Sequence, residues 1–323
     1  MRQQGSIVDN RRWVLIVVGV VLLAAASLVW VTFRDGGTRD PVDTGAGTAS
    51  SGPAVPSPVA DTGQSPSPAG SSAEPVATSA SPTALAAAPS VPPGGHTLTF
   101  VNAVEETIWL ATTKDAAHPL PATGWVLAPG QRLTLVVPAH YGGRFWGRTG
   151  CHFDAAGRGR CDTGDCGGRF QCAGSGATPA TLAELTLDAW NDLDFYDVSM
   201  VDGSNLPMYI NVLHGSAKDP VSATGCVAAG CTRPVACPEA MRVAVGGRVV
   251  ACRNPCDAFG TDEYCCRNAW AGREHCLPER WPVNYTKVFK DAEPYAYSYA
   301  FDDSATMSCR GDCDYRVTFG VTR

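Results

Sequence analysis

No cysteine precedes Cys151, although the chain carries fourteen, so any disulfide framework is confined to the later part of the sequence. No charged residue falls between Trp13 and Phe33, which excludes that run from a solvent-facing surface. Residues 40–96 hold almost no large apolar side chain, which excludes a buried core there. Lysine and arginine are missing between Arg169 and Lys218, where Glu184, Asp188, Asp192, Asp194, Asp197 and Asp202 crowd together, so one face must be strongly negative. With 25 basic and 31 acidic residues the formal net charge is −6, which argues against a nucleic-acid partner. No Gly-x-Ser-x-Gly elbow, dinucleotide fingerprint or phosphate loop occurs. The six histidines do not sit at ligand spacing beside cysteine pairs, so neither a metal nor a cofactor is expected.

What is present begins at the N-terminus. Residues 1–12 are polar and carry Arg2, Arg11 and Arg12, and residues 13–33 form the uncharged run. A helix of that length rises about 30 Å, enough to span a bilayer's hydrocarbon core, and arginines on its N-terminal side predict a cytoplasmic N-terminus. The competing reading is a cleavable signal peptide ending near Ala24-Ala25-Ala26-Ser27. The apolar run continues through Phe33, longer than a usual signal core, which favours a signal anchor. In both readings the remainder is exported, to the outer face of the cell membrane or into the medium. Residues 34–96, rich in Pro, Ser, Ala, Thr and Gly, read as a disordered tether with local polyproline character.

From residue 97 onward the pattern changes. Thr97-Leu98-Thr99-Phe100-Val101 alternates, and residues 131–138 form a second β-rich run bounded by Pro-Gly and Pro. Short runs separated by turn residues predict a mainly β sandwich, and no comparable amphipathic helix occurs before Glu239. In Arg144-Phe145-Trp146-Gly147-Arg148, alternation places Arg144, Trp146 and Arg148 on one face of a strand. On the plain structural reading Trp146 packs and the arginines pair with nearby carboxylates. Residues 226–299 are cysteine-dense with poor apolar periodicity, as in a loop-rich lobe that burial alone would not hold together.

The motifs Gly143-Arg144-Phe145-Trp146-Gly147, Leu182-Ala183-Glu184-Leu185, Asp194-Phe195-Tyr196-Asp197-Val198, Val201-Asp202-Gly203 and Glu263-Tyr264-Cys265-Cys266 resemble the thaumatin-like protein family, over roughly residues 97–323. The resemblance implies a β-sandwich core with disulfide-rich loop lobes, and bonds Cys151–Cys161, Cys166–Cys172, Cys237–Cys252, Cys256–Cys265 and Cys266–Cys276. Family cysteines are absent at Val104, Gly320 and Glu293, while Cys313 is extra. If Cys226 keeps Cys309, as in the family, Cys313 is left for Cys231, and all fourteen cysteines are bonded.

The resemblance also implies a cleft formed by Arg144, Glu184, Asp197, Asp202 and Asp303, residues far apart in sequence that only a fold can assemble. Carboxylates held close repel one another, so some stay protonated while Arg144 keeps a neighbour ionised. Such a cleft can bind sugar hydroxyls, with Tyr196, Phe195 or Trp190 covering the apolar faces of pyranose rings. If it hydrolyses instead, Glu184 is the candidate acid, with Asp197 or Asp202 as base or nucleophile. The expected partner is a β-1,3-glucan or related wall polysaccharide, and the chain is expected to be a monomer. An antifungal role and a weak β-1,3-glucanase are further family implications, and a structural or protein-binding role is the alternative. Arg310-Gly311-Asp312 is read as a chance tripeptide.

Overall fold

A computed structural model describes residues 91, 93–113, 115–217 and 228–322. The expected N-terminus (1–12), membrane span (13–33) and linker up to residue 90 lie outside the described residues, as does Cys226. Among the described residues no helix is long and apolar enough to cross a membrane.

The first strand, β1 (His96–Asn102), alternates strictly between buried and half-buried positions. It starts one residue before the expected domain boundary because His96 is itself held inside. The His96 Nδ1 lies 2.7 Å from the Cys313 carbonyl, and Nε2 lies 3.0 Å from Asp188 Oδ2. Both acceptors require an N–H, so the ring is an imidazolium. Burial opposes that charge, but the Cys313 carbonyl, Asp188 and Asp194 outweigh it and raise the ring's pKa above 6.5.

Next come β2 (Ile108–Thr112), β3 (Gly124–Leu127), β4 (Arg132–Val137), β5 (Gly142–Arg148), the short β6 (His152–Phe153) and β7 (Gly159–Arg160), and β8 (Leu182–Thr186). After them run β9 (Leu193–Ser199), β10 (Met208–Ser216), β11 (Arg242–Val245), β12 (Arg248–Cys252) and β13 (Met307–Phe319). The main sheet has nine strands in the order β3-β2-β5-β8-β9-β13-β1-β4, with β10 also on β13. The long β13 joins its halves: residues 307–310 pair with β9, while residues 314–319 pair with β10 and Tyr315–Phe319 with β1. Phe100 of β1 meets Phe145 of β5 with ring centroids 4.7 Å apart, although those strands are far apart in the sheet order. The sheet therefore folds on itself, and its two halves enclose one core that includes Leu98, Leu110, Leu185, Tyr196, Val198 and Val317. Truncating a buried ring such as Phe145 to alanine would cost about 3–5 kcal/mol.

Where β13 changes partners, residues 310–312 bulge outward, with Gly311 at a φ of 88°. This brings the Cα atoms of Cys309 and Cys313 to 6.3 Å, and the two are bonded to each other. The expected pairs Cys226–Cys309 and Cys231–Cys313 are thereby overturned: the local bulge supplies the bonding geometry that a distant partner was expected to provide. Gly215 lies beneath this bond, where a Cβ would sit 2.8 Å from Cys309 Sγ. Cys231 is also disulfide-bonded. The remaining described bonds are Cys151–Cys161, Cys166–Cys172, Cys237–Cys252, Cys256–Cys265 and Cys266–Cys276.

The described part of the second lobe contains the β11–β12 hairpin and two short helices, α1 (Pro255–Phe259) and α2 (Thr286–Ala292). Helix α1 begins with proline, is capped by Asn254 Oδ1 accepting from Asp257 N, and stops at left-handed Gly260. Around it Phe259, Tyr264, Trp281, Tyr285 and Tyr299 form a chain of ring contacts. The disulfides and this aromatic chain hold a segment whose sequence has little apolar periodicity.

Candidate functional site

Alternation along β5, β8 and β9 sends Phe145, Ala183, Leu185, Tyr196 and Val198 into the core and their neighbours to the opposite face. The register then lines up the charged residues: Arg144 lies opposite Glu184, and Glu184 lies opposite Asp197. Residues directly opposite in antiparallel strands have Cβ atoms about 4.5–5.5 Å apart, so strand pairing alone brings this row together. A slip of one residue would bury all three. Asp202, in the turn after β9, completes the group. The guanidinium of Arg144 sits 3.2 Å from Glu184 Oε1 and 3.6 Å from Asp202 Oδ2.

Burial raises the pKa of all three carboxyls. Burial raises Glu184, with Arg144 opposing, Asp202 adding to the rise and a Ser199 side-chain hydrogen bond opposing. Burial raises Asp202 too, against Arg144 and with Asp257 adding to the rise. Burial and the nearby Glu184 push Asp197 up to about 8, and its Oδ2 is buried with no hydrogen-bond partner among the described residues. The Arg144 guanidinium is closest to Glu184, the acid of the sequence reading, and opposes the rise there.

The other expected residues divide by strand geometry. Tyr196 is fully buried, with its ring 5.1 Å from Tyr315 in the core, so it does not line the cleft: it neighbours Asp197 in sequence and therefore points to the opposite side. Phe195 is on the same side as Asp197, and its ring is 4.4 Å from that of Trp190, which is 66% exposed. Asp303 is exposed and ion-paired with Arg273, whose guanidinium lies 5.6 Å over the Phe301 ring. Its neighbour Asp302 is buried, accepting from Ser298 and Ser304 and pairing with Lys290 at 2.6 Å.

Arg148 was expected to pair with carboxylates. It is instead fully buried and donates to the carbonyls of Trp109, Arg169 and Phe170 at 3.1, 2.9 and 2.8 Å. Its guanidinium lies 5.4 and 5.6 Å from the ring centroids of Phe153 and Phe170, and burial lowers its pKa to about 10. Trp146 is buried as expected, its Nε1–H donating to the Gly164 carbonyl at 2.9 Å. The loops closed by Cys151–Cys161 and Cys166–Cys172 thus cover this end of the face and leave Arg144 as its accessible arginine.

Sequence reasoning missed Tyr297. It bridges to Ser199 through the backbone, its hydroxyl bonds Thr306, and its raised pKa reflects burial and then the charges of Asp197, Asp302 and Glu184. The signal was available in Tyr295-Ala296-Tyr297-Ser298-Tyr299, which alternates like a strand beside the acidic stretch.

A family model described as the thaumatin family matches residues 102–321. The chain belongs to the thaumatin family. It is 44% identical to pathogenesis-related protein 5 of Arabidopsis thaliana, over 68% of this chain and 88% of that protein. It is 42% identical to pathogenesis-related thaumatin-like protein 3.5 of Cryptomeria japonica, over 70% of this chain and 90% of that protein. The solved thaumatin-like xylanase inhibitor TLXI aligns with 69% of this chain and 97% of its own, at 24% identity and a TM-score of 0.36, too low to argue from. These thaumatin-family relatives cover the domain built around the Arg144 row.

Proposed function

We propose that this thaumatin-family protein is exported, tethered to the cell membrane by residues 13–33, and binds a β-1,3-glucan or related wall polysaccharide in the Arg144–Glu184–Asp197–Asp202 cleft. The observation that carries the reading is Asp197. Its partnerless Oδ2 lies in a row of half-buried charged groups, beside an aromatic surface made by Phe195 and Trp190. Sugars present hydroxyls that both donate and accept, along with apolar ring faces. Carboxyl groups, a guanidinium and aromatic rings match that chemistry. Names of relatives among pathogenesis-related proteins agree with a role against other organisms, and antifungal action is part of the proposal.

The test is retention of the full-length chain on insoluble β-1,3-glucan, compared with Asp202→Ala and Glu184→Ala. Each variant removes one partner of Arg144 and is expected to lower retention at least tenfold, a change of about 1.4 kcal/mol. Equal retention of all three proteins would remove the cleft from the explanation. Cell fractionation with N-terminal sequencing tests the tether, and a mature chain beginning near Ser27 in the medium would replace it with secretion.

The raised pKa of Asp197 favours a second reading, slow glucan hydrolysis with Asp197 as acid and Arg144-paired Glu184 as the ionised partner. Release of reducing ends from soluble laminarin should then fall away above pH 8, and Asp197→Asn should abolish it while binding persists. Undiminished release by that variant would refute the assignment.

A further inference from the structure

On the side of Asp202 facing the disulfide lobe lies a cavity of about 250 Å³. Asp202 and Asp257 supply carboxylates to its wall, and Tyr264, Trp281 and Tyr299 supply rings. Its aromatic wall is fixed: Trp281 meets Tyr264 and Tyr299 edge to face, with centroids 5.3 and 6.0 Å apart. Two disulfides, Cys256–Cys265 and Cys266–Cys276, hold the backbone on which Tyr264 stands. Trp281 is only 6% exposed, yet its buried Nε1–H has no hydrogen-bond partner among the described residues. Buried polar groups are nearly always paired, so a rigid pocket with an unused donor, two carboxylates and three rings has the composition of a ligand site. The Tyr264 hydroxyl accepts from Val283 N at 3.3 Å, which leaves its own proton available to donate.

Size and position narrow the ligand. At about 250 Å³ the cavity lies below the roughly 300–1,000 Å³ of pockets for drug-sized molecules, a volume that suits a single sugar ring. It adjoins the cleft through Asp202, which is shared between the cavity wall and the Arg144 ion pair. We propose that this cavity receives a single hexose carried as a side branch on a polysaccharide whose main chain lies along Arg144, Glu184 and Asp197. The inference rests on the polysaccharide-binding reading above and adds to it a preference for branched over linear chains. A ring face would pack on Tyr299, and the hydroxyls would meet Asp202 and Asp257.

The experiment measures dissociation constants of the full-length chain, kept in a detergent without a sugar headgroup. The probes are two soluble β-1,3-glucans of matched length, one linear and one bearing single β-1,6-linked glucosyl branches. The same titrations are run on Tyr299→Ala and on Asp257→Asn, an exposed residue whose change should leave the fold intact. We expect at least tenfold tighter binding of the branched polymer, and loss of that preference in both variants with linear-glucan affinity unchanged. Equal wild-type affinity for the two polymers, or a branch preference that survives both substitutions, overturns the pocket while leaving the cleft reading in place. Weakened binding of the linear polymer in the variants would assign the cavity to the main chain or its end, and also overturns the branch assignment. Failure of the wild type to bind either polymer overturns both readings together.

Discussion

Glu293 offers the sharpest test of how this core is built. Its side chain is fully buried, and Oε1 accepts from Thr232 Oγ1 at 2.8 Å and from Met208 N at 3.4 Å. Oε2 has no partner among the described residues, and burial pushes the group from 4.5 to about 8. A carboxyl whose folded pKa is raised stabilises fully below its unfolded value and loses that stabilisation as pH rises toward the folded value. Between 4.5 and about 8 the folded state keeps a proton that the unfolded chain has released. At about 1.4 kcal/mol per pH unit, the loss across that window is on the order of 5 kcal/mol, a large part of a domain's usual stability. Glu293→Gln keeps the acceptor and the shape but cannot ionise. The variant should match the wild type near pH 4.5 and exceed it by several kcal/mol at pH 8. Urea unfolding with disulfides intact, followed by tryptophan fluorescence at pH 4.5, 6, 7 and 8, measures this. Asp197, also raised to about 8, keeps part of the slope in the variant, so the expected result is a shallower fall and not a flat line. If wild type and variant lose stability in parallel across this range, Glu293 is not protonated in the native state and the reasoning fails.

Two further outcomes follow from buried cations. Arg148→Met keeps the volume but leaves the Trp109, Arg169 and Phe170 carbonyls without their donor, and should lower unfolding free energy by at least about 3 kcal/mol. A loss under about 1 kcal/mol in urea unfolding would show that those carbonyls find other donors. His96→Gln removes a cation between the Cys313 carbonyl and Asp188, whose benefit is present below pH 6.5 and lost as pH rises past the raised folded value. The variant should therefore be destabilised at pH 5.5 and much less so at pH 9. A penalty that does not vary with pH would show a neutral ring.

Strand alternation and motif spacing carried much of this protein into view before any coordinates. The period of two in residues 97–101 places Leu98 and Phe100 in the core, where they are found. The same period applied at residues 194–198 separates Tyr196 from Asp197, and applying it consistently would have removed Tyr196 from the cleft. Five of the disulfides were legible because the family resemblance pairs those cysteines. The bond of Cys309 was not, because it depends on a bulge in β13 where the strand changes partners.

Glu293 shows the same division. Its sequence position marks only a missing cysteine, whereas its chemistry follows from complete enclosure beside Thr232 and Met208, residues distant along the chain. The sequence by itself determined the mainly β class, the family and the charged set Arg144, Glu184, Asp197 and Asp202, since these rest on residue identity and local period. Only the tertiary structure decided that burial raises the cleft carboxyls, that Asp303 pairs with Arg273, and that a ring-lined cavity opens beside Asp202. Those features depend on burial and on distances between residues remote in sequence. Desolvation and Coulomb interaction act through space, and the order of residues along a chain does not encode them until strand register brings the groups together.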